Sequence, residues 1–383
     1  MKKASLILVL LLIATMLLAL PKELTKMGNP DLYKEVAQKA ANNLKLLHWE
    51  QKDAYKGLLK QHPDILMNYL IAYESDANLA STNPKDIESN YEAICALLNK
   101  EGLKYKPDIF LSYIAKQTVS DEAITPYRKA MLKDGLQQII YTTHTDLDRF
   151  RAVTLWCVSR LQFQQTSGRD QTPLDITQRS IIGRCEEMQI LLVSAARTVG
   201  LPSRPASVPW WAHLDNNHAW TEIYLDGKWH YTGDMDMAYF PDQTWFSGLV
   251  DKTVMILAEG SMATWEDEVL AKGKYEALIN STANYTQERS RTIKINVTNE
   301  NNKPISDAYV IPLVFNWGSL RALTILNTNK NGYLQFTAGR GAFYLSVYSK
   351  EGKALILVPS DEQKTIDITA QVSNKDFPEG WAT

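Results

Sequence analysis

Two stretches decide the reading of this chain: GRCEEMQILLVSAARTVGLPSRP, from Gly183 to Pro205, and NHAWTEIYLDGKWHYTG, from Asn217 to Gly233. In the first, Met188, Leu191, Leu192, Ala195 and Val199 recur at helical spacing, so a helix is expected from Cys185 to Val199. Gly200 supplies its stop and Pro202 prevents its continuation. In the second, residues alternate from His218 to Leu225, Asp226-Gly227 is a hairpin turn signal, and Lys228 to Thr232 resumes the extended pattern. A helix that opens on a cysteine, followed by antiparallel strands that open on a histidine, makes a mixed α+β unit.

Cysteine, histidine and carboxylate in that order are the residue types of acyl transfer. The thiolate is the nucleophile, the imidazole takes its proton, and an acid holds the imidazole in the useful tautomer. Cys185 lies at a helix start, where the helix dipole favours a thiolate and a backbone N–H faces a developing oxyanion. Arg184 is expected to add positive charge beside it, while Glu186 and Glu187 oppose that effect and suit the first helical turn. His218 follows 33 positions after the cysteine. The hairpin returns the chain towards it, which makes Asp234 and Asp236 the candidate acids. Each residue alone has a plainer explanation: a small buried hydrophobe for the cysteine, a satisfied polar side chain for the histidine. The spacing of the set is what raises the catalytic reading above the plain one.

Taken together, the two stretches resemble the nucleophile helix and the histidine strand of the transglutaminase-like superfamily, whose core is papain-like. FLSYIAKQTVSDEAITPYRK, from Phe110 to Lys129, Trp156-Cys157 and PWWAHLDNNHAW, from Pro209 to Trp220, are similar to the bacterial secreted members. KPISDAYV, from Lys303, and NKNGYLQF, from Asn329, resemble a β-sandwich of carboxypeptidase-regulatory type. The resemblance implies catalytic roles for Cys185, His218 and an acid. It places the acid four residues after Trp229, and that position holds Gly233; the bacterial subgroup carries it nearer position seven, so both Asp234 and Asp236 stand. It also implies a side-chain oxyanion donor upstream of the cysteine, for which Gln162, Gln164 and Gln165 are candidates.

Around the expected cleft, Trp210, Trp211, His213, Asn217 and Trp220 are candidate substrate-binding residues, with Asp215 among them. Trp220 and Trp229 read first as core of the sheet, whereas for Trp210 and Trp211 groove and core stand equal. A zinc site from His213, His218, His230 and Cys185 matches no closed-site spacing, so no metal and no cofactor is expected. Cys95 (in AICALL) and Cys157 (in LWCVS) read as buried thiols, with a disulfide between them as the alternative.

The rest of the chain is read outward from this core. Lys2 and Lys3 precede an apolar run from Ala4 to Leu20, ended by Pro21, which reads as a secretory signal in residues 1–21. As a helix the run spans roughly 25 Å, short of the ~30 Å hydrocarbon layer. No small-x-small cleavage site is well formed, so an uncleaved anchor is the alternative and the only expected link to a membrane. Residues 22–150 carry helical periodicity, for example Leu32, Val36, Ala40, Leu44 and Leu47 after Asn29-Pro30. The core is expected over 151–285, with QQTSGRDQTP, from Gln164, as a loop leading into it. Seven short strands with turn signals between them argue for a β-sandwich over 288–372.

Composition sets outer limits. Of 383 residues, 45% are hydrophobic and 22% charged, which is globular rather than disordered. Forty-one basic against 43 acidic residues give a net charge of −2, which leaves no field to hold nucleic acid. Three cysteines exclude a disulfide-built scaffold and a four-cysteine zinc site.

The expectation is an exported cysteine enzyme, periplasmic, secreted or on the cell surface. It acts on an amide or ester bond of a protein, peptide or peptidoglycan-like substrate, with glycan as a partner of the sandwich. The competing expectation is a non-catalytic extracytoplasmic protein that keeps the fold and binds peptide or glycan.

Overall fold

The computed structural model describes residues 24, 27, 29–179, 181–233, 240–262, 266 and 268–374. The expected signal or anchor (1–21) and both candidate acids, Asp234 and Asp236, lie outside the described residues. The chain is α+β and divides into two compact units, one up to Ser203 and one from Arg204 onward.

The first unit is mainly helical. Helices α1 (Pro30–Leu44), α2 (Trp49–Gln61), α3 (Ile65–Ala72), α4 (Asp76–Ser81) and α5 (Pro84–Glu101) follow one another. Every residue of α3 is buried. Its start is fixed by Asp64, which accepts the N–H groups of Leu66 (2.9 Å) and Met67 (3.1 Å). Asn29 and Asn83 cap α1 and α5 in the same way, each just before a proline at the first helical position. Further on come α6 (Pro107–Phe110), α7 (Tyr127–Met131), α8 (Gln137–Thr142), α9 (Asp146–Val158) and α10 (Pro173–Gln178).

The sequence pattern from Ile124 to Thr142 predicts one helix, and the structure interrupts it. Asp134 and Gly135 leave helical geometry, with φ +117° at Gly135. Trp156 of α9 explains the break: its indole N–H donates to the carbonyl of Asp134 at 2.9 Å, in place of an intrahelical donor. Helix α11 (Cys185–Thr198) ends the unit, within one residue of its sequence expectation.

The second unit opens with β3 (Ser203–Val208), β4 (His218–Leu225) and β5 (Lys228–Tyr231). Asp226 (φ +51°) and Gly227 (φ +81°) form the two-residue turn between β4 and β5. With β6 (Leu257–Gly260), β7 (Val269–Lys272) and β8 (Ala277–Asn280) they form a six-stranded sheet in the order β5-β4-β3-β6-β8-β7.

A sandwich follows. One sheet contains β9 (Arg291–Thr298), β13 (Tyr333–Ala338) and β16 (Thr365–Gln371). The other contains β10 (Tyr309–Asn316), β11 (Ser319–Ala322), β12 (Leu326–Asn327), β14 (Phe343–Ser349) and β15 (Gly352–Val358). Ile293, Ile295 and Val297 of β9 alternate with exposed or half-buried neighbours and face Val310, Val314, Leu345 and Val347 in one core. The sequence pattern predicts one strand from Arg321 to Leu326, and the structure has two short ones there, β11 and β12. Pro312, in the middle of β10, is the reason. Its carbonyl accepts from Leu323 N at 2.9 Å, but on that side of the strand it has no N–H to return.

Candidate active site

Within the first unit, three local decisions shape the start of α11. Cys185 is the first helical residue. Glu187 turns back and accepts the backbone N–H of Arg184 at 2.8 Å, the carboxylate half of a capping box. Thr166 donates its hydroxyl to the same carboxylate at 2.7 Å. Glu187 is buried, and a Cβ on Gly183 would stand 2.8 Å from the Glu187 Cβ. The glycine before Arg184 is thus a packing requirement of the cap.

The loop read only as a lead-in does more than connect. Thr166, Gly168 and Asp170 all receive donors from the Arg184 guanidinium, at 3.0, 3.2 and 2.5 Å. Glu186 accepts from Arg184 Nε at 3.1 Å, and Glu187 lies 3.7 Å from Nη1. This corrects the expectation that Arg184 supplies positive charge to the thiol. Three carboxylates surround one guanidinium, so the local balance beside Cys185 is negative. Burial holds the Asp170 carboxyl above its ordinary range and Asp121 adds to the rise, while Ser120 and Arg184 oppose it. The Cys185 thiol itself donates to Glu186 at 3.2 Å.

Residues Gln162–Phe163 (β1) and Ile182–Gly183 (β2) form a short parallel pair, and Gln164 N donates to Gly183 O at 2.9 Å. The three candidate glutamines are exposed and lie beside the segment that leads into Cys185.

Within the second unit, His218 is the first residue of β4. Its ring is walled by Trp245, Phe246 and Trp220, with centroids 5.0, 5.1 and 5.6 Å away. Trp220 is buried and held from behind. Its indole donates to Tyr285 OH at 2.7 Å, Tyr285 donates to Glu222 at 2.6 Å, and Glu222 accepts from Arg204 at 2.5 Å and Ser281 at 2.6 Å. Burial, followed by the charge of Glu222, raises the Tyr285 hydroxyl far above its ordinary pKa. This buried network was not foreseen. Its trace in the sequence is Glu222, a carboxylate in the middle of the strand HAWTEIYL.

The other candidates fall into two groups. Trp211 and Trp220 stack at 6.4 Å and are fully buried, so both serve as core of the sheet unit. Trp210 is half-buried, packs on the sandwich core and lies 5.2 Å beneath the Arg321 guanidinium. His213, Asp215 and Asn217 are exposed. Burial and the charge of Lys252 lower the His213 pKa. This loop is tied down by the sandwich: buried Asn316 donates to the carbonyls of Trp211, Leu214 and Asn216 at 2.9, 2.8 and 3.1 Å. Asp215 accepts Trp317 N at 2.7 Å.

A histidine–carboxylate pair that was not foreseen lies one strand over. His230 Nδ1 meets Asp242 Oδ2 at 2.6 Å. Asp242 also accepts Tyr231 N at 3.0 Å and donates its own N–H to Tyr231 O at 2.9 Å. The hydrogen bond to Asp242 raises the His230 pKa, with burial opposing it. No group of three metal-ligating side chains occurs among the described residues.

A cysteine at a helix start and a histidine at a strand start belong to one stretch of sequence. Residues 134–232 match the transglutaminase-like superfamily. The chain therefore carries a transglutaminase-like domain that includes Cys185 and His218. Over 164 residues it is 27% identical to the kyphoscoliosis peptidase of Homo sapiens, covering 38% of this chain and 21% of that protein. Over 143 residues it is 26% identical to the kyphoscoliosis peptidase of Mus musculus, covering 33% of this chain and 20% of that protein. The match thus spans about a fifth of the length of these curated relatives. Among solved structures, a candidate cysteine protease from Cytophaga hutchinsonii aligns over 28% of this chain and 38% of its own, at 20% identity and a TM-score of 0.24.

Proposed function

We propose that the transglutaminase-like domain of this protein is a cysteine-dependent acyl-transfer enzyme acting on amide, peptide or ester bonds. Cys185 is the nucleophile, His218 the base, and Asp234 or Asp236 the acid that orients the imidazole. His218 takes the thiol proton as sulfur attacks the carbonyl. The leaving amine or alcohol then takes that proton from the imidazolium, and an acyl thioester remains. Water or an amine attacks the thioester in the second step, giving hydrolysis or transamidation. N–H groups at the start of α11 are placed to face the oxyanion, with one of Gln162, Gln164 and Gln165 as a side-chain donor.

The observation that carries this reading is Cys185 at the first position of a capped helix, inside the family-matched stretch that also contains His218. Export belongs to the same proposal. Lys2, Lys3 and the apolar run to Leu20 direct the chain out of the cytoplasm, towards a protein, peptide or peptidoglycan-like substrate.

A second reading has its own support. The negative surroundings of Cys185 and the glycine at the usual acid position suit a domain that binds peptide or glycan without turning it over. Thiol labelling of the native protein separates the two. In an enzyme Cys185 is alkylated by iodoacetamide far faster than free cysteine near neutral pH, and in a binding protein it is no faster than free cysteine.

A further inference from the structure

The second unit contains a cavity of about 890 Å³ that lines neither Cys185 nor His218. Its walls are the β4–β5 hairpin, the loop after Asp242, and the segment from Ala283 to Arg289. The volume falls in the range of small-molecule sites, roughly 300–1,000 Å³.

The lining chemistry narrows the ligand. Among the described lining residues Asp242 and Glu266 are matched by Lys228 and Arg289, and His230 is paired with Asp242, so no strong field of one sign favours a phosphate or a polyanion. Val250 and Ala283 are the aliphatic side chains in the lining among the described residues, which is too little to hold a lipid. The remainder is amide, hydroxyl and aromatic.

Tyr224 and Trp229 are half-buried and meet edge to face at 5.2 Å. The Arg204 guanidinium lies 3.9 Å from the Trp229 ring, so the indole is held in place from behind. Asn284 and Gln287 present exposed amides at the rim. Gln287 also carries strain. Its φ of +46° and ψ of −122° lie outside the left-handed helical region and suit only glycine. Ser290 fixes it through donors to the Gln287 carbonyl from N at 3.1 Å and Oγ at 2.8 Å. Such strained backbone gathers at ligand-binding segments.

We propose that this cavity is a binding site for a neutral oligosaccharide, separate from the acyl-transfer chemistry. The C–H face of a sugar rests on Trp229 and Tyr224. Its hydroxyls, each both donor and acceptor, meet the amides of Asn284 and Gln287, the Arg289 guanidinium and the Asp242 carboxylate. Balanced charge and mixed donors and acceptors fit a polyol better than any ionic or apolar ligand.

The test is titration calorimetry of the full chain against short neutral oligomers of glucan, xylan, mannan, galactan and chitin, with inorganic phosphate as the charged control. At least one oligomer is expected to bind, and phosphate is not. Asn284→Ala and Arg289→Ala alter exposed side chains and keep the fold; each is expected to weaken binding by about tenfold, the equivalent of one strong interface contact. Iodoacetamide labelling of Cys185 is expected to stay as in the parent protein, so failure here is distinguishable from failure of the acyl-transfer reading. Absence of binding by every oligomer, or binding that survives both substitutions within about threefold, overturns the proposal.

Discussion

Glu187 and Gly183 illustrate how much of the candidate site rests on single residues beside the thiol. Glu187 closes the N-terminus of the Cys185 helix, and Gly183 leaves the room for it to do so. Glu187→Ala is expected to destabilise the protein by about 1 kcal/mol as a lost cap, more if the Thr166 hydroxyl is left without an acceptor. Gly183→Ala forces the Glu187 side chain aside and is expected to cost about 1–3 kcal/mol as overpacking. Urea denaturation of the two variants measures both. A Gly183→Ala protein as stable as the parent would show that the glycine has no packing role. The motif GRCEE was visible in the sequence, but its meaning was only partly so. The cysteine at a helix start was readable from periodicity. The neutralisation of Arg184 was not, because Thr166, Gly168 and Asp170 come from a polar loop whose course no periodicity encodes.

At the scale of elements, the loop that follows β5 delivers Trp245 and Phe246 to His218, and Asp242 fastens that loop to the strand. The His230 pKa is raised by Asp242, so the pair's contribution is whole below the ordinary histidine titration. It is lost as pH rises through the folded-state value. Hydrogen exchange at Tyr231 and Asp242 is therefore expected to speed up between mildly acidic and mildly alkaline pH, beyond the intrinsic pH effect on exchange. In Asp242→Asn that extra dependence is expected to vanish. Equal pH dependence in the parent and the variant would exclude the pair as the fastening.

Most elements were legible because burial on one face imposes a period. Strands β9, β13 and β14 follow from alternation, whereas β4 is buried on both faces and is delimited instead by the Asp226-Gly227 turn that ends it. Departures occurred where one distant side chain or one imino acid overrides the period. Trp156 takes the Asp134 carbonyl and breaks a helix, and Pro312 withholds a donor and splits a strand.

For the molecule as a whole, the sandwich is joined to the sheet within the second unit by a polar anchor. Asn316 is fully buried and donates to three carbonyls of the loop that leads into His218. Asn316→Ala leaves those buried acceptors short of a donor and is expected to cost about 1–3 kcal/mol. It should also speed hydrogen exchange over residues 211–217; unchanged exchange there would refute the anchoring role. No sequence pattern announces such a contact, since its partners are a hundred positions away along the chain.

Export is a further expectation at this scale. Fractionation should find the chain outside the cytoplasm, and replacing Lys2 and Lys3 with glutamate should retain it inside. No helix among the described residues is long and apolar enough to cross a membrane.

The account turns on whether His218 serves the Cys185 thiol. The most direct measurement is the pH dependence of Cys185 alkylation by iodoacetamide in the native protein and in His218→Ala. The account predicts rapid alkylation of the parent that persists well below the ordinary thiol range of about pH 8.5, and its loss in the variant. Identical profiles for the two proteins, both rising only near that ordinary range, would contradict it.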